Sequence, residues 1–401
     1  MAPVQKVTGF YRCKDERVLF IFFNVYNVVD CQTFLDKLKQ LGCIGCCRNS
    51  RSELVKVASQ STAFELEKEL GYFATVVRTP EEWGAICPSQ PPFHLSALVG
   101  GSDVRVPLPT IMGSGALPLA GIKVLDFSNV VAAPYAARVL AEMGANVLNV
   151  RDPKGVRAPI VDLYATIGKL SVLADLTDPA ERARVDALLE QADVVITNFP
   201  SIEQADKLGI GPYTRLANRR PFIHFNVTAY PNDSEWKHRK GYAPMASAAC
   251  GMFTTACSPE VLEQAITSKA GTIWPNDAYP EDYFGGMLGT VGILAALRRR
   301  AKEGGSYLVE TSLAGACMYA MGFRREAAMP SSCADFESLA RTFSVGVPSP
   351  FKSCLCCRTS SMSLIREPIV YNEWSTLLLA ATKFGGDEDK LVGTGWAKAA
   401  E

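Results

Sequence analysis

Histidine is scarce in this sequence, and its scarcity limits the chemistry that the chain can perform. Only three histidines occur in 401 residues, at positions His94, His224 and His238. A polyhistidine metal site or a serine-hydrolase triad would have to use these three, and the G-x-S-x-G turn of the α/β-hydrolases is absent. His224 lies within an apolar strand pattern, so we expect a core histidine, whereas His238 lies in a charged loop and is expected to be solvated.

The sequence also lacks an excess of charge of either sign. Lys and Arg total 41, as do Asp and Glu, which gives a formal net charge of zero. Nothing in this balance indicates nucleic acid or an anionic membrane as the main partner. The apolar stretch VLFIFFNVYNVV (18–29) is too short to span a bilayer and has the composition of a buried strand. Since the first residues do not form a secretory signal pattern, we expect a cytoplasmic protein, with import into an organelle as the alternative.

Glycine is missing where nucleotide-binding proteins need it. The first strand-to-helix turn of the central region, SNVVAAPYAA (128–137), contains none. Neither the G-x-G-x-x-G dinucleotide fingerprint nor the G-x-x-x-x-G-K-[ST] phosphate loop occurs in the chain. Nicotinamide chemistry and nucleotide-triphosphate hydrolysis are therefore disfavoured.

Cysteine, by contrast, is abundant. The chain has 13 cysteines, an odd number, and we expect reduced thiols packed as small hydrophobic side chains. Two clusters, 43–47 and 354–357, raise the alternative of a shared zinc site. They are far apart in the chain and no histidine is near either, so the sequence predicts no metal site.

Residues 121–325 alternate apolar strand patterns with helical patterns. Continuous apolar strands separated by helices predict an α/β fold with a doubly wound, Rossmann-like parallel sheet. Outside this region we expect a smaller, incomplete α+β domain (1–90), a linker (91–118) and an irregular C-terminal region (326–401). The predicted strands of the sheet are 123–127, 145–150, 170–176, 193–199, 222–229 and 307–312.

Three carboxylates occur together in the stretch PNDAYPEDYFGG (275–286). Asp282 opens a predicted helix of about five turns, so the simplest interpretation is an N-cap. Asp277 and Glu281 lie in the preceding turn and are expected to be exposed. The alternative for Asp282 is a nucleophile at a helix N-terminus, followed by two glycines, Gly285 and Gly286. These would let a ligand approach the backbone, and their N–H groups would stabilise an oxyanion.

Several longer stretches resemble one enzyme family. They occur in family order over about half the chain: PLAGIKVLDFSNVVAAPYAARVLAEMGANVLNV, GKLSVLADLTDP, ADVVITNF, KLGIG, KGYAPMASAACG, DYFGGMLGTVGILAALRRR and GGSYLVETSL. Residues 119–325 thereby resemble the class III (CaiB/BaiF type) CoA-transferases. This family contains formyl-CoA and carnitine-CoA transferases as well as α-methylacyl-CoA racemases.

The resemblance implies a transferase in which Asp282 is the nucleophile. Asp282 would attack an acyl-CoA thioester to give an aspartyl-acyl anhydride and then an aspartyl-CoA thioester, which a carboxylic acid acceptor attacks. Coenzyme A would be part of the substrate, with no tightly bound cofactor, and the enzyme would be a homodimer. The residues implied to contact CoA are Asn129, Val130, Val131, Ala132, Lys169, Asn198, Phe199, Lys207, Lys240 and Tyr242.

Two alternatives remain beside the transferase. Racemases of the family carry a histidine where this chain has Tyr242, so two-base proton exchange would lack one base. A catalytically decayed CoA-binding or dimerisation protein is the second alternative, because no glycine-rich covering loop follows residue 325.

Residues 1–90 resemble the latter part of a family member placed ahead of the next copy, as in a tandem-copy protein. After the strand 145–150 the family order of an acidic and then a basic residue is reversed, which leaves Arg151 or Arg157 as a candidate phosphate contact.

Overall fold

The computed structural model describes residues 7–23, 28–43, 50–88, 90–110, 117–155, 162, 165–216, 220–267, 280–326, 344–348 and 361–365. The described residues up to 322 belong to one compact unit, and the strands beyond residue 340 belong to a second unit.

The N-terminal part of the first unit is a small antiparallel sheet with helices. Its strands pair in chain order, each antiparallel to the next. Two of its helices begin with capping boxes, in which Thr62 with Glu65 and Thr79 with Glu82 exchange side-chain and backbone hydrogen bonds. The elements are β1 (Gly9–Arg12), β2 (Val18–Ile21), α1 (Val28–Gln40), α2 (Ser50–Gln60), α3 (Ala63–Leu70), β3 (Ala74–Val76) and α4 (Pro80–Gly84).

A seven-stranded sheet forms the larger part of the same unit. The strands are β4 (His94–Leu98), β5 (Lys123–Asp126), β6 (Asn146–Arg151), β7 (Leu170–Leu173), β8 (Val194–Thr197), β9 (Ile223–Thr228) and β10 (Ser306–Ser312). Their order in the sheet is β4-β10-β9-β8-β5-β6-β7, and every neighbouring pair is parallel except β4 with β10. The predicted doubly wound α/β class is thus confirmed.

Helices follow most of these strands. Their bounds are α5 (Ala132–Glu142), α6 (Pro179–Gln191), α7 (Ile202–Lys207), α8 (Pro212–Arg215), α9 (Ala243–Ala249), α10 (Met252–Ala256), α11 (Pro259–Thr267), α12 (Pro280–Glu303) and α13 (Leu313–Glu326). No helix among the described ranges is both long enough and apolar enough to cross a membrane.

Strand β4 lies within the range predicted to be a linker. Its sequence, HLSAL, alternates little, and only Leu98 is fully buried. As the antiparallel edge of the sheet it pairs through its backbone with β10 and needs no apolar face. The sequence pattern therefore gave no sign of this strand.

The chain order of the strands creates a switch point beside β5. From β5 the chain moves outward through β6 and β7, then returns to β8 on the other side of β5 and continues to β9 and β10. In doubly wound sheets the crevice beyond the carboxyl ends of two such strands is the usual ligand site. The loops after β5 and β8 meet at this crevice.

Helix α12 packs closely on α5 and on the sheet because one of its faces carries glycines. A Cβ atom at Gly286 would collide with the carbonyl oxygen of Ala132, and one at Gly289 would collide with the Phe225 ring. The small residues let the helix axis approach its neighbours more closely than side chains would allow. This approach brings the first turn of α12 beside the start of α5.

The predicted start of α12 is wrong. The helix begins at Pro280, which makes Asp282 the third helical residue rather than the N-cap. Proline is favoured at the first helical position because its missing N–H has no partner there in any case. Pro280 and Asp282 are both residues that favour a helix start, and the helix begins at Pro280.

The second unit contains a β-hairpin within the described residues. Strands β11 (Ser344–Pro348) and β12 (Ser361–Ile365) pair in antiparallel register. They lie in the region predicted to be irregular.

Candidate active site

The loops at the switch point are joined by a pair of hydrogen bonds. The backbone N–H of Asn129 donates to Oδ1 of Asn198 (3.1 Å), and Nδ2 of Asn198 donates to the carbonyl of Asn129 (2.8 Å). One asparagine side chain after β8 thus holds the loop after β5. These are two of the residues that the sequence assigned to CoA contact, and the structure brings them together.

The loop between β5 and α5 has an unusual backbone. Val130 has a φ of 69°, in the left-handed region that β-branched residues rarely adopt. Val131 is the N-cap residue of α5 and makes no side-chain capping bond, and Ala132 is the first helical residue. Strained backbone of this kind is found disproportionately at ligand-binding turns.

A buried group of charges lies beneath this loop. Asp126, fully buried in β5, accepts hydrogen bonds from the backbone N–H and hydroxyl of Ser128 and from Nδ2 of Asn149. Nζ of Lys169 lies 2.8 Å from Oδ2 of the same aspartate and 2.7 Å from the carbonyl of Pro134. The carboxylate therefore ties the loop, the neighbouring strand and Lys169 into one network.

This placement argues against the predicted contact between Lys169 and a phosphate. Lys169 is 1% exposed, and its ammonium group is directed at Asp126 and the Pro134 carbonyl. Burial lowers the pKa of Lys169, although the neighbouring carboxylate opposes this effect. Its structural effect is to support the loop from below rather than to contact a ligand above it.

Arg151 is a second buried cation. It is 3% exposed, pairs with Asp162 at 3.1 Å and donates to the carbonyl of Ser128. The alternative that Arg151 contacts a phosphate is therefore not supported. Arg157, the other candidate, lies outside the described residues.

Phe199 lies at the same crevice, after β8. Its backbone N–H donates to Oδ1 of Asn226, and its carbonyl accepts from Nδ2 of the same residue, both at 3.1 Å. The ring is half-buried against the apolar cluster between the sheet and α6. A partly exposed ring face at this position is compatible with the predicted role against adenine or pantetheine.

The remaining predicted CoA contacts differ in exposure. Lys207, the last residue of α7, and Lys240, before α9, are both exposed. Nζ of Lys240 lies 5.2 Å from the centre of the Tyr72 ring. Tyr242 is the N-cap residue of α9, and its hydroxyl donates to Asp30 (3.2 Å), which also accepts from Tyr72. The N-terminal part of the chain thus reaches the segment that carries Lys240 and Tyr242.

Asp282 lies in the first turn of α12, at the carboxyl edge of the sheet. The side chain is half-buried, and burial raises its pKa from 3.8 to about 7. One residue on, the Tyr283 ring packs edge-on against Tyr135 of α5, with ring centres 5.2 Å apart. Together with the Gly286 approach to Ala132, this contact fixes Asp282 near the start of α5 and its preceding loop.

The roles predicted for the two glycines of α12 need correction. Because the helix starts at Pro280, the N–H groups of Gly285 and Gly286 belong to its internal hydrogen-bond ladder. The N–H groups at the positive end of the helix dipole are those of the first turn, which precedes these glycines. The missing side chain of Gly286 makes room for α5 rather than for a ligand.

The expected exposure of Glu281, in the same helix, also needs correction. It was expected to be exposed, but it is 1% exposed, and its Oε1 accepts a hydrogen bond from the Ser247 hydroxyl at 2.7 Å. Burial raises its pKa to about 8. The third acid of the stretch, Asp277, lies outside the described residues.

The chain carries the sequence signature of a known family. The family model for CoA-transferase family III matches residues 119–336, more than half of the chain. The chain belongs to CoA-transferase family III. The resemblance inferred from the sequence is therefore confirmed.

The curated relatives of this chain include CoA-transferases. The "succinyl-CoA--L-malate CoA-transferase beta subunit" of Chloroflexus aurantiacus is 33% identical over 211 residues, which cover 49% of this chain and 49% of that protein. "Acetyl-coenzyme A transferase nodX" of Hypoxylon pulicicidum is 30% identical over 208 residues, 51% of this chain and 34% of that protein. The chain spans about half or less of the length of these relatives.

Solved structures of similar chains exist as well. The crystal structure of the protein Rv3272 from Mycobacterium tuberculosis is 29% identical, with a TM-score of 0.45, covering 53% of this chain and 59% of that one.

A cavity of about 250 Å³ lies beside β10. Its lining includes Asp233, Glu310 and Thr311, and the Thr311 hydroxyl donates to the carbonyl of Gly285. Burial raises the pKa of Glu310, and Asn232 donates to its carboxyl group at 2.5 Å. Two carboxyl groups in so small a space disfavour an anionic ligand.

Of the three histidines, His94 lines this cavity, with its Nε2 2.9 Å from Oε1 of Gln90. His224 is fully buried in β9, where Nε2 lies 3.0 Å from the Thr197 hydroxyl, and burial lowers its pKa to about 3. It is therefore a neutral core histidine, as predicted, whereas His238 is exposed. Within the described ranges no three His, Cys, Asp or Glu side chains cluster as metal ligands; most of the cysteines that raised the zinc alternative lie outside those ranges.

The sequence missed several residues that organise this family site. Asp126 carried a usable signal, because an acid inside the apolar strand KVLDF must have buried partners. The sequence around Ser247 and Glu281 contains no comparable signal. Serine is common in small-residue helices, and a glutamate next to an aspartate has the appearance of a solvated turn.

Proposed function

We propose that this chain supplies the nucleophile and part of the CoA site of an acyl-CoA:carboxylate CoA-transferase, with Asp282 as the nucleophile. The observation that carries the proposal is the position of Asp282. It is a half-buried carboxyl group in the first turn of α12, next to the loop at the switch point of the sheet. Membership of CoA-transferase family III supports the reaction class.

The proposed reaction runs through two kinds of covalent intermediate. A carboxylate oxygen of Asp282 attacks the thioester carbonyl of an acyl-CoA, the C–S bond breaks, and CoA leaves as a thiolate. The thiolate then attacks the Asp282 carbonyl of the anhydride, which releases the first acid and leaves an aspartyl-CoA thioester. The acceptor carboxylate displaces CoA from this thioester, and the returning thiolate attacks the new acyl group, forming the product and restoring Asp282.

We expect the N-terminus of α12 to stabilise the negative charge that develops on a carbonyl oxygen during the reaction. Each attack places negative charge on a carbonyl oxygen of the acyl group or of Asp282 itself, near the N-terminus of α12 and the positive end of its dipole. A dipole of this kind stabilises an oxyanion because it is already in place before the reaction.

Coenzyme A is proposed to enter as part of the substrate, with no tightly bound cofactor. The loop at Asn129–Ala132 and the residues Asn198 and Phe199 would bind it at the crevice of the switch point. Lys207 and Lys240, both exposed, are the cations of the proposed set that remain available for its phosphates. The same resemblance supports a homodimer.

An exchange reaction tests this function. A labelled carboxylic acid is incubated with its own CoA thioester and the protein, and label entering the thioester is measured. We expect exchange that Asp282→Asn abolishes and that Glu303→Gln, an exposed change at the far end of α12, leaves intact. Solvent deuterium at the α-carbon of a 2-methylacyl-CoA, without exchange, would indicate the racemase instead. The absence of both with a range of CoA thioesters would overturn the proposal and favour a decayed CoA-binding protein.

A further inference from the structure

Glu281 is a buried acid that the proposed mechanism does not use. It is 1% exposed and precedes the proposed nucleophile in the chain. Its Oε1 accepts from the Ser247 hydroxyl at 2.7 Å, whereas its Oε2 has no hydrogen-bond partner among the residues that the structure describes. Successive helical side chains point about 100° apart. Glu281 therefore points inward to α9 while Asp282 keeps partial access to the crevice.

Among the residues that the structure describes, the surroundings of Glu281 contain no positive charge. Ser247 comes from α9, and its hydroxyl lies 3.8 Å from the buried thiol of Cys317 on α13. Cys250, just after α9, donates to the Ser247 carbonyl. Burial raises the pKa of Cys317, so this thiol is uncharged. In the described part of the chain, the charged group that acts on Glu281 is the neighbouring Asp282. No cation of the described ranges forms an ion pair with Glu281.

These contacts favour the neutral acid over the carboxylate. An ionised carboxylate with one oxygen unpaired in an apolar site pays the full desolvation cost, and a like charge next to it adds to that cost. The protonated acid avoids both, and still accepts from Ser247. The direction of its pKa shift agrees with this geometry.

We propose that Glu281 is a positioning residue for the transferase reaction, a neutral acid that anchors the first turn of α12 to Ser247 and leaves Asp282 as the only charged carboxylate there. The inference rests on the proposed function of Asp282. Ionisation of Glu281 would place a second negative charge beside the nucleophile and disturb the turn that orients it. The neutral state is thus a condition for activity, and it sets an upper pH limit.

The direction of this limit follows from the two acids. Asp282 must lose its proton to attack, so the rate rises as pH increases through its pKa of about 7. Glu281 must keep its proton, so the rate falls as pH increases through its pKa of about 8. The wild-type protein should therefore show a narrow bell, with the rate of a single turnover falling about tenfold for each pH unit above the second pKa.

Substitution of Glu281 tests which group is responsible for the alkaline fall. Glu281→Gln keeps the shape and the neutral charge but cannot ionise, so we expect the alkaline fall to disappear. Ser247→Ala removes a hydrogen bond that lowers the pKa of Glu281, so the alkaline fall should move to higher pH. The matched control is Glu303→Gln on the same helix, which should retain the wild-type profile. A merely structural role for Glu281 would lower the rate equally at every pH.

The pH dependence of stability reports on the protonation of Glu281 and does not require an activity assay. Because the folded state holds a proton on Glu281 that the unfolded state has lost, wild-type stability falls as pH rises from 4.5 to about 8. The thermal midpoint of Glu281→Gln should therefore rise relative to wild type over this window, and that of Glu303→Gln should not.

The outcomes separate the two proposals. If label exchange occurs but Glu281→Gln retains the alkaline fall, or its thermal midpoint runs parallel to that of the wild type, the role of Glu281 is wrong and Asp282 is unaffected. If wild type, control and variants all lack exchange, the transferase function fails, and the role of Glu281 in it fails as well.

Discussion

At the scale of single residues, charge and burial decide which groups are available for chemistry. Asp282 and Lys169 were both predicted to act on the substrate, and their environments differ. Asp282 is half-buried at the crevice, whereas Lys169 is enclosed with Asp126 as its partner. A lysine in a sequence carries no sign of which way it points, so the sequence alone could not separate a ligand contact from a support beneath the loop.

The pH dependence of the first chemical step tests the state of Asp282. Because the carboxylate is the nucleophile and burial raises its pKa to about 7, the rate of CoA release in a single turnover should increase about tenfold per unit below that pH. A rapid-quench measurement between about pH 5 and pH 7 would show the rise. A rate that is flat over this range would mean that Asp282 keeps an ordinary pKa or is not the nucleophile.

Substitution of Lys169 tests its reassignment. Lys169→Met leaves Asp126 buried without its cation, which typically costs about 3–5 kcal/mol of unfolding free energy. Lys240→Met, the exposed counterpart, should change stability by no more than about 0.5 kcal/mol and instead raise the KM for acyl-CoA. Urea unfolding and steady-state kinetics of both variants would distinguish these effects. Unchanged stability with a raised KM in Lys169→Met would restore the original phosphate-binding assignment.

At the scale of elements, the sequence predicted most of the sheet and erred at boundaries and edges. Apolar runs such as KVLDF and DVVITNF identify strands buried on both faces, which is why β5 and β8 were found. The edge strand β4 was missed because only one of its five residues is buried. The start of α12 was misplaced because Pro280 and Asp282 are both helix-start signals, and a pattern cannot rank them.

The glycine face of α12 is the element that positions Asp282, and a matched pair of variants tests it. Gly286→Ala places a Cβ against the Ala132 carbonyl, and overpacking of this kind typically costs about 1–3 kcal/mol. Gly285→Ala meets only the side chains of Leu313 and Ala316, at 3.7 and 3.9 Å, and should stabilise the helix by up to about 1 kcal/mol. Urea unfolding and the exchange rate would be measured for each. Equal effects of the two substitutions would contradict the close approach of α12 and α5.

At the scale of the whole molecule, the N-terminal part is joined to the sheet-containing part by a shared aromatic cluster. Phe10 and Phe20 of the small sheet pack against Phe253 of α10, with ring centres 5.3 and 5.7 Å away. Arg78, after β3, adds a backbone hydrogen bond to the carbonyl of Ala248. The boundary predicted near residue 90 thus lies within one compact unit, while the tandem-copy origin of residues 1–90 remains a prediction.

Removal of the shared ring tests whether the two parts unfold together. Phe253→Ala should cost about 3–5 kcal/mol, the usual range for a buried phenylalanine, and should shift a single cooperative transition. Tyr213→Ala, which removes a ring that is 58% exposed, is the control and should have little effect. Two separate transitions in the wild-type protein, with only one displaced in Phe253→Ala, would show that the parts are independent.

The most direct test of the central claim is the chemical identity of residue 282 during turnover. The protein is mixed with an acyl-CoA, quenched with hydroxylamine and digested, and the peptide containing residues 280–298 is analysed by mass spectrometry. The account predicts a hydroxamate on Asp282, formed from the anhydride or the CoA thioester, in wild type and in Glu303→Gln but not in Asp282→Asn. An unmodified Asp282 under conditions in which label exchange proceeds would contradict it.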